Sequence, residues 1–144
     1  MSKPIVYATD FSPASRAAFA KAVQLAKRER APLTITHVML PPLLMMGDGY
    51  VPPSAWEQIN RAQRKMSQKK LDAVVARARA AGVRARGLLL EGQPSEQILR
   101  AARRAALLVI GTHGRTGVAR FILGSVAGRV VAGARCPVVT VRGK

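Results

Sequence analysis

Short apolar runs alternate with longer amphipathic stretches along the whole chain. Pro4-Ile-Val-Tyr-Ala-Thr9 is apolar enough to be a buried strand, and Asp10-Phe-Ser12-Pro13 ends it. Ser12 is placed to N-cap a helix that has Pro13 at its first position. That helix, running to about Arg30, repeats Ala18, Phe19, Ala22, Val23 and Ala26 at helical spacing, and Ala31-Pro32 stops it. Leu33 to Leu40 is a second strand, rich in β-branched residues. Residues 41–54 form an irregular loop carrying Pro41, Pro42, Gly47, Gly49, Pro52 and Pro53. Met39, Met45 and Met46 are expected to give adaptable packing beneath it, or to line a pocket.

A long amphipathic helix follows from about Ser54 to Ala81, with Ile59, Ala62, Met66, Leu71, Val74, Val75 and Ala78 on its apolar stripe and Gly82 ending it. Val83 to Leu90 is the third strand. A turn from Glu91 to Glu96 leads into a third helix that turns Ile98, Leu99 and Ala102 inward. Leu107 to Ile110 is the fourth strand, Val126 to about Gly133 the fourth helix, and Pro137 to Arg142 the last strand. Strands alternating with helices imply one parallel sheet with helices on both faces. A single domain spanning 1–144 is expected, with no internal repeat.

The segment from Gly111 to Ser125 carries the chemistry. A buried strand feeds a stretch containing Gly111, Gly114, Gly117 and Gly124, and this feeds a helix start. Glycines let backbone approach a ligand, and the free N–H groups of a helix start attract anions. Ser125 can cap that helix and offer its hydroxyl to a phosphate, with Arg115 and Arg120 as nearby cations; Arg120 reads equally as plain surface charge. A phosphate-bearing small molecule is the expected ligand. In open parallel sheets ligands sit at the carboxyl ends of strands, where strand order reverses. Thr9 to Ser12 and Gly111 to Arg115 are therefore expected to flank one crevice. There Asp10 would meet the ribose or base of a nucleotide, or a metal-bound water, unless it serves only to cap the first helix.

Charge adds a second possibility. Lys and Arg number 24 against 7 acids, a net charge of +17. The basic residues are spread along the chain, from Lys21 to Arg104 and beyond, so a solvated surface that holds polyanions loosely is preferred over a dedicated nucleic-acid site. Two tyrosines, three phenylalanines and one tryptophan supply a base-stacking platform poorly. With 49% hydrophobic residues the chain is not disordered, and no run reaches the roughly 18 apolar residues of a membrane span. The amino terminus has no signal-peptide pattern, and the lone Cys136 permits no internal disulfide, so a soluble cytoplasmic protein is expected. Gly82 to Gly87 has P-loop glycine spacing but runs into Leu88 instead of Lys-Ser/Thr, and Gly47-x-Gly49 lacks a third glycine. His113 has no nucleophile spaced for it, and His37 reads as a hydrogen-bonded core residue.

Gly111-x2-Gly114-x9-Gly124-Ser125 resembles the ATP-binding signature of the universal stress protein family, and the likeness runs nearly end to end. Ile5 to Ser12 resembles its opening strand and turn, Leu33 to Val38 its second strand, Gly92 to Ile98 its turn into the third helix, and Cys136 to Val141 its closing strand. The resemblance implies a five-stranded parallel sheet in the order 3-2-1-4-5, binding ATP or another adenine nucleotide between strands one and four. Carried over, Thr9 and Asp10 fall beside the adenosine and Val38 at the adenine-contacting strand end. Ile110, Gly111, His113, Gly114 and Arg115 fall along ribose and phosphates, and Gly124, Ser125 and Val126 on the phosphates. A Mg2+ or Mn2+ ion would bind through the phosphates, with no protein metal ligands and no catalytic residue assigned. A homodimer through Val138, Val139, Thr140 and Val141 is implied as well. The leading reading is a nucleotide-binding stress-response or regulatory protein in which ATP orders residues 112–123. Slow ATP hydrolysis, for which only Asp10 and His113 are available, and polyanion binding are the alternatives. Ala106 stands where the family often has an acid, and the +17 charge departs from its mostly acidic or mildly charged members.

Overall fold

A computed structural model describes residues 2–41, 51–112 and 124–143. Its described strands are β1 (Ile5–Ala8), β2 (Leu33–Met39), β3 (Ala85–Glu91), β4 (Leu107–Thr112) and β5 (Val138–Arg142). Among the described residues the helices are α1 (Pro13–Glu29), α2 (Pro53–Ala80), α3 (Pro94–Ala101) and α4 (Ser125–Gly133). The strands form one parallel sheet in the order β3-β2-β1-β4-β5, as expected.

β1 lies at the centre because all four of its residues are apolar and can be buried on both faces. Its side chains alternate between two cores. Ile5 and Tyr7 join Ala18, Ala22, Leu33, Ile35, Leu71, Val75 and Val109 under α1 and α2. Val6 and Ala8 join Ile98, Ala102, Leu108, Ile110, Ala127 and Val130 under α3 and α4. The period of two in β1 thus lays one residue of each pair against each helical layer.

Four local expectations change. Ser12 is the N-cap residue of α1, but its side chain makes no capping bond; Asp10 Oδ1 accepts the Ser12 N–H at 2.9 Å instead. Strand three starts at Ala85 and not at Val83. Gly82 takes φ +93°, and the Val83 N–H turns back to Ala78 O at 3.2 Å, so this stretch still belongs to the helix exit. α3 is capped by a residue the pattern did not single out. The Gln93 side chain accepts the Glu96 N–H at 2.8 Å and the Ser95 hydroxyl at 2.7 Å. β4 runs to Thr112, so Gly111 is a strand residue and not part of a free loop.

Candidate functional site

The strand order reverses between β1, which leads outward to β2, and β4, which leads to β5. At that point the carboxyl ends of β1, β2 and β4 open into a crevice of about 360 Å³. Such a volume suits a small organic ligand. Thr9, Asp10, Val38, Ile110, Gly111, Gly124 and Val126 all line it. Ser125 does not; it is exposed and begins α4, with Gly124 as the N-cap residue. His113, Gly114 and Arg115, together with the stretch to 123 expected to respond to ATP, lie outside the described residues, as do Met45 and Met46.

The turn after β1 is held by a directed relay. The Phe11 N–H donates to Thr9 Oγ1 at 3.0 Å, Thr9 donates to Ser15 Oγ at 3.1 Å, and Ser15 donates to Ser12 O at 2.7 Å. The Tyr7 hydroxyl donates to Ser15 O beneath it, and burial pushes the Tyr7 pKa up. The Thr9 N–H is bonded to Thr36 O at 2.9 Å, and Thr9 O receives His37 Nδ1 at 2.8 Å. Thr9 is therefore a positioning residue, because its hydroxyl, amide and carbonyl are all engaged within the protein. Phe11, at φ +65°, is the strained residue that lets this turn close. Its ring stacks on His37 with centroids 4.2 Å apart.

His37 is hydrogen-bonded, as expected, but half-buried at the crevice wall and not sealed in the core. The Thr9 carbonyl can only accept, so Nδ1 carries the proton in the neutral ring and Nε2 is left as an acceptor. Burial lowers the His37 pKa; the bond to Thr9 and the charge of Asp10 act the other way, and Lys70 adds to the lowering. Asp10 braces the turn before α1 and stands at the crevice. One carboxylate oxygen holds the Ser12 amide, and the exposed residue lines the crevice with its charge.

The opposite wall is the start of α4. Gly124 has no side chain to cap it, no side-chain capping bond is formed there, and no acid occupies the first turn. Among the described residues no side chain caps the first-turn amides, which carry the positive end of the helix at the crevice edge. Gly111 has a packing reason of its own: a Cβ there would lie 3.2 Å from Ala14 O and 3.4 Å from Ser15 Cα. Close approach of α1 to β4 thus favours glycine at the floor of the site, since a Cβ would press on the start of α1.

Residues the sequence reading missed complete the walls. Pro94 and Ile98 come from α3, and Gln63 reaches in from α2, where its Nε2 donates to Leu40 O at 3.2 Å. Ser15, three residues past Ser12, was legible as a polar residue on the inner side of α1; Gln63 carried no such signal. Among the described residues, no group of three His, Cys, Asp or Glu side chains could hold a metal ion, and no helix is long and apolar enough to cross a membrane.

Comparison with known proteins agrees with this architecture. Residues 1–142 match the universal stress protein family. A universal stress protein of Methanocaldococcus jannaschii is 36% identical over 143 residues, covering 97% of this chain and 82% of that one. The solved universal stress protein from Archaeoglobus fulgidus in complex with dAMP superposes with a TM-score of 0.67 at 27% identity, covering 96% of this chain and 97% of its own. A universal stress protein in complex with cAMP gives a TM-score of 0.68 at 26% identity, covering 99% and 98%.

Proposed function

The chain belongs to the universal stress protein family, and from that premise we propose that its crevice binds an adenine nucleotide, ATP among them, in a regulatory and not a catalytic role. The observation that carries this reading is the uncapped amino terminus of α4 at the edge of a crevice of nucleotide size. Phosphate oxygens accept the first-turn amides of α4, at Ser125, Val126 and Ala127, and are favoured by the helix dipole. Val38 and Met39, at the end of β2, receive the base, and Asp10 meets the ribose. Relatives solved with dAMP and with cAMP support an adenine ligand.

A Mg2+ or Mn2+ ion would be held by ligand phosphates, since the described residues offer no cluster of their own. It would neutralise phosphate charge there. What this chain's residues contribute is binding and orientation. β5 then serves as the dimer edge. Among the described residues its Val138-Val-Thr-Val141 run pairs only with β4, whereas the opposite edge, β3, carries Arg86 and ends at Glu91, which is ion-paired to Arg64 of α2 at 3.1 Å.

The test is nucleotide content of the purified protein, then titration of wild type and Gly124→Val with ATP and AMP at about 0.15 M salt. Wild type is expected to bind one nucleotide per chain. The branched side chain at Gly124 should block the phosphates and weaken ATP by about a hundredfold or more, near 3 kcal/mol. Equal binding by both proteins, stripped equally by salt, would overturn the reading.

A further inference from the structure

The other end of the sheet carries a second cavity. It lies at the amino ends of β1, β2 and β3, with a volume of about 630 Å³. Pro4 and Pro32 line it, next to the buried Leu33, Val83 and Ala85, whose side chains belong to the core under α1 and α2. Three arginines line it, Arg79, Arg84 and Arg86, and no carboxylate does. Two of them are tethered. Arg79 Nε donates to Ala85 O at 2.9 Å, tying the end of α2 to the start of β3. Arg86 Nε donates to Oγ1 of buried Thr34 at 3.3 Å, across the register pair that joins β3 to β2. Each tether uses one of five guanidinium donors and leaves both Nη groups for a ligand. All three arginines are exposed, and Arg84, between the tethered two, has no tether of its own among the described residues.

We propose that this cavity is a second anion site, taking a small phosphoryl ligand of two or more charges. Three guanidiniums around one concavity exceed the charge that a single phosphate monoester neutralises. Their planar forks match phosphate oxygens in pairs, and tethering through Nε lowers the entropy lost on binding. A plain basic face lacks the two Nε bonds that hold the stems of Arg79 and Arg86 here. The site is separate from the nucleotide crevice, which lies at the carboxyl ends of the strands, and stands whether or not that crevice holds a nucleotide.

The probe is inorganic pyrophosphate, titrated at about 0.15 M salt while backbone amide resonances are followed residue by residue. Saturable shifts are expected at Leu33, Thr34 and Val83 to Arg86, with a single dissociation constant. Arg84→Gln and Arg86→Gln together should weaken that constant by at least about tenfold, the scale of one lost charged hydrogen bond, and should leave AMP titration at Gly124 to Ala127 unaltered. Arg84→Gln alone, at an exposed side chain, guards against a folding defect. Lys65→Gln with Lys69→Gln, on the exposed face of α2, should change nothing. Shifts that rise without saturating, or equal weakening by the lysine pair, would overturn the site in favour of diffuse charge. Tighter binding of a single-stranded oligonucleotide to the same amides at equal phosphate concentration would overturn it in favour of a nucleic-acid surface.

Discussion

The His37 side chain links the stability of the fold to the state of the crevice. Its ring must be neutral to sit half-buried against Phe11, and burial holds its pKa below the ordinary 6.5. The unfolded chain therefore takes up this proton at a higher pH than the native protein does. Stability from neutral His37 is complete above about 6.5 and is lost as pH falls from there through the folded pKa. The melting temperature should drop across that window, and the His37 ring protons should titrate with a midpoint under 6.5 by NMR. A midpoint at or above 6.5 would mean that the Thr9 bond and the Asp10 charge outweigh burial. The surrounding turn shows why such a residue is hard to read in a sequence. His37 and Thr9 lie on different strands, and only the β1–β2 register brings the imidazole to the Thr9 carbonyl.

At the scale of elements, each junction at the carboxyl end of the sheet has its own local solution. β1 passes to α1 through the Thr9–Ser15 relay, β3 to α3 through Gly92 and the Gln93 cap, and β4 to α4 through the glycine segment. Gly92 takes φ +139°, its N–H donates to Met39 O at 3.0 Å, and a Cβ there would lie 3.2 Å from Gln97 Nε2. Gly92→Ala should therefore destabilise the protein by about 1–3 kcal/mol, measured by denaturant unfolding. An unchanged midpoint would mean that the turn relaxes to negative φ. The same change also tests the crevice, because the turn sets where Pro94 and Ile98 enter its wall. The helix and strand types of these elements were legible from periodicity. Their caps were less so, since Gln93 and Asp10 act through side-chain bonds two or three residues away.

For the molecule as a whole, the two edges of the sheet differ in a way that favours one assembly. β5 is a Val-Val-Thr-Val edge with half-buried valines and one terminal arginine, while β3 carries Arg86 along its length and an ion pair at its end. Sedimentation at micromolar concentration should give a species of two chains, not one of 15.4 kDa. It should persist at about 0.5 M salt, because backbone pairing and apolar contact are insensitive to screening. A monomer would remove the β5 dimer. Dissociation by salt alone would move the interface to a charged face. The +17 charge works against self-association at low salt, so the low-salt state is the more demanding comparison.

By itself the sequence determined the class of fold, the parallel order of the sheet through a family likeness, and the helix start after Gly124. These follow from information local in the chain: periodicity of two or 3.6, and glycine spacing. Tertiary structure decided what depends on residues far apart meeting. It engaged every polar group of Thr9 within the protein, brought His37 to the crevice wall, set Gly111 against Ala14, and drew Arg79, Arg84 and Arg86 around one cavity. A lone arginine in a sequence reads as surface charge. Three of them come to line one cavity only when α2, β2 and β3 are packed together, because charge acts through distance in space and not along the chain.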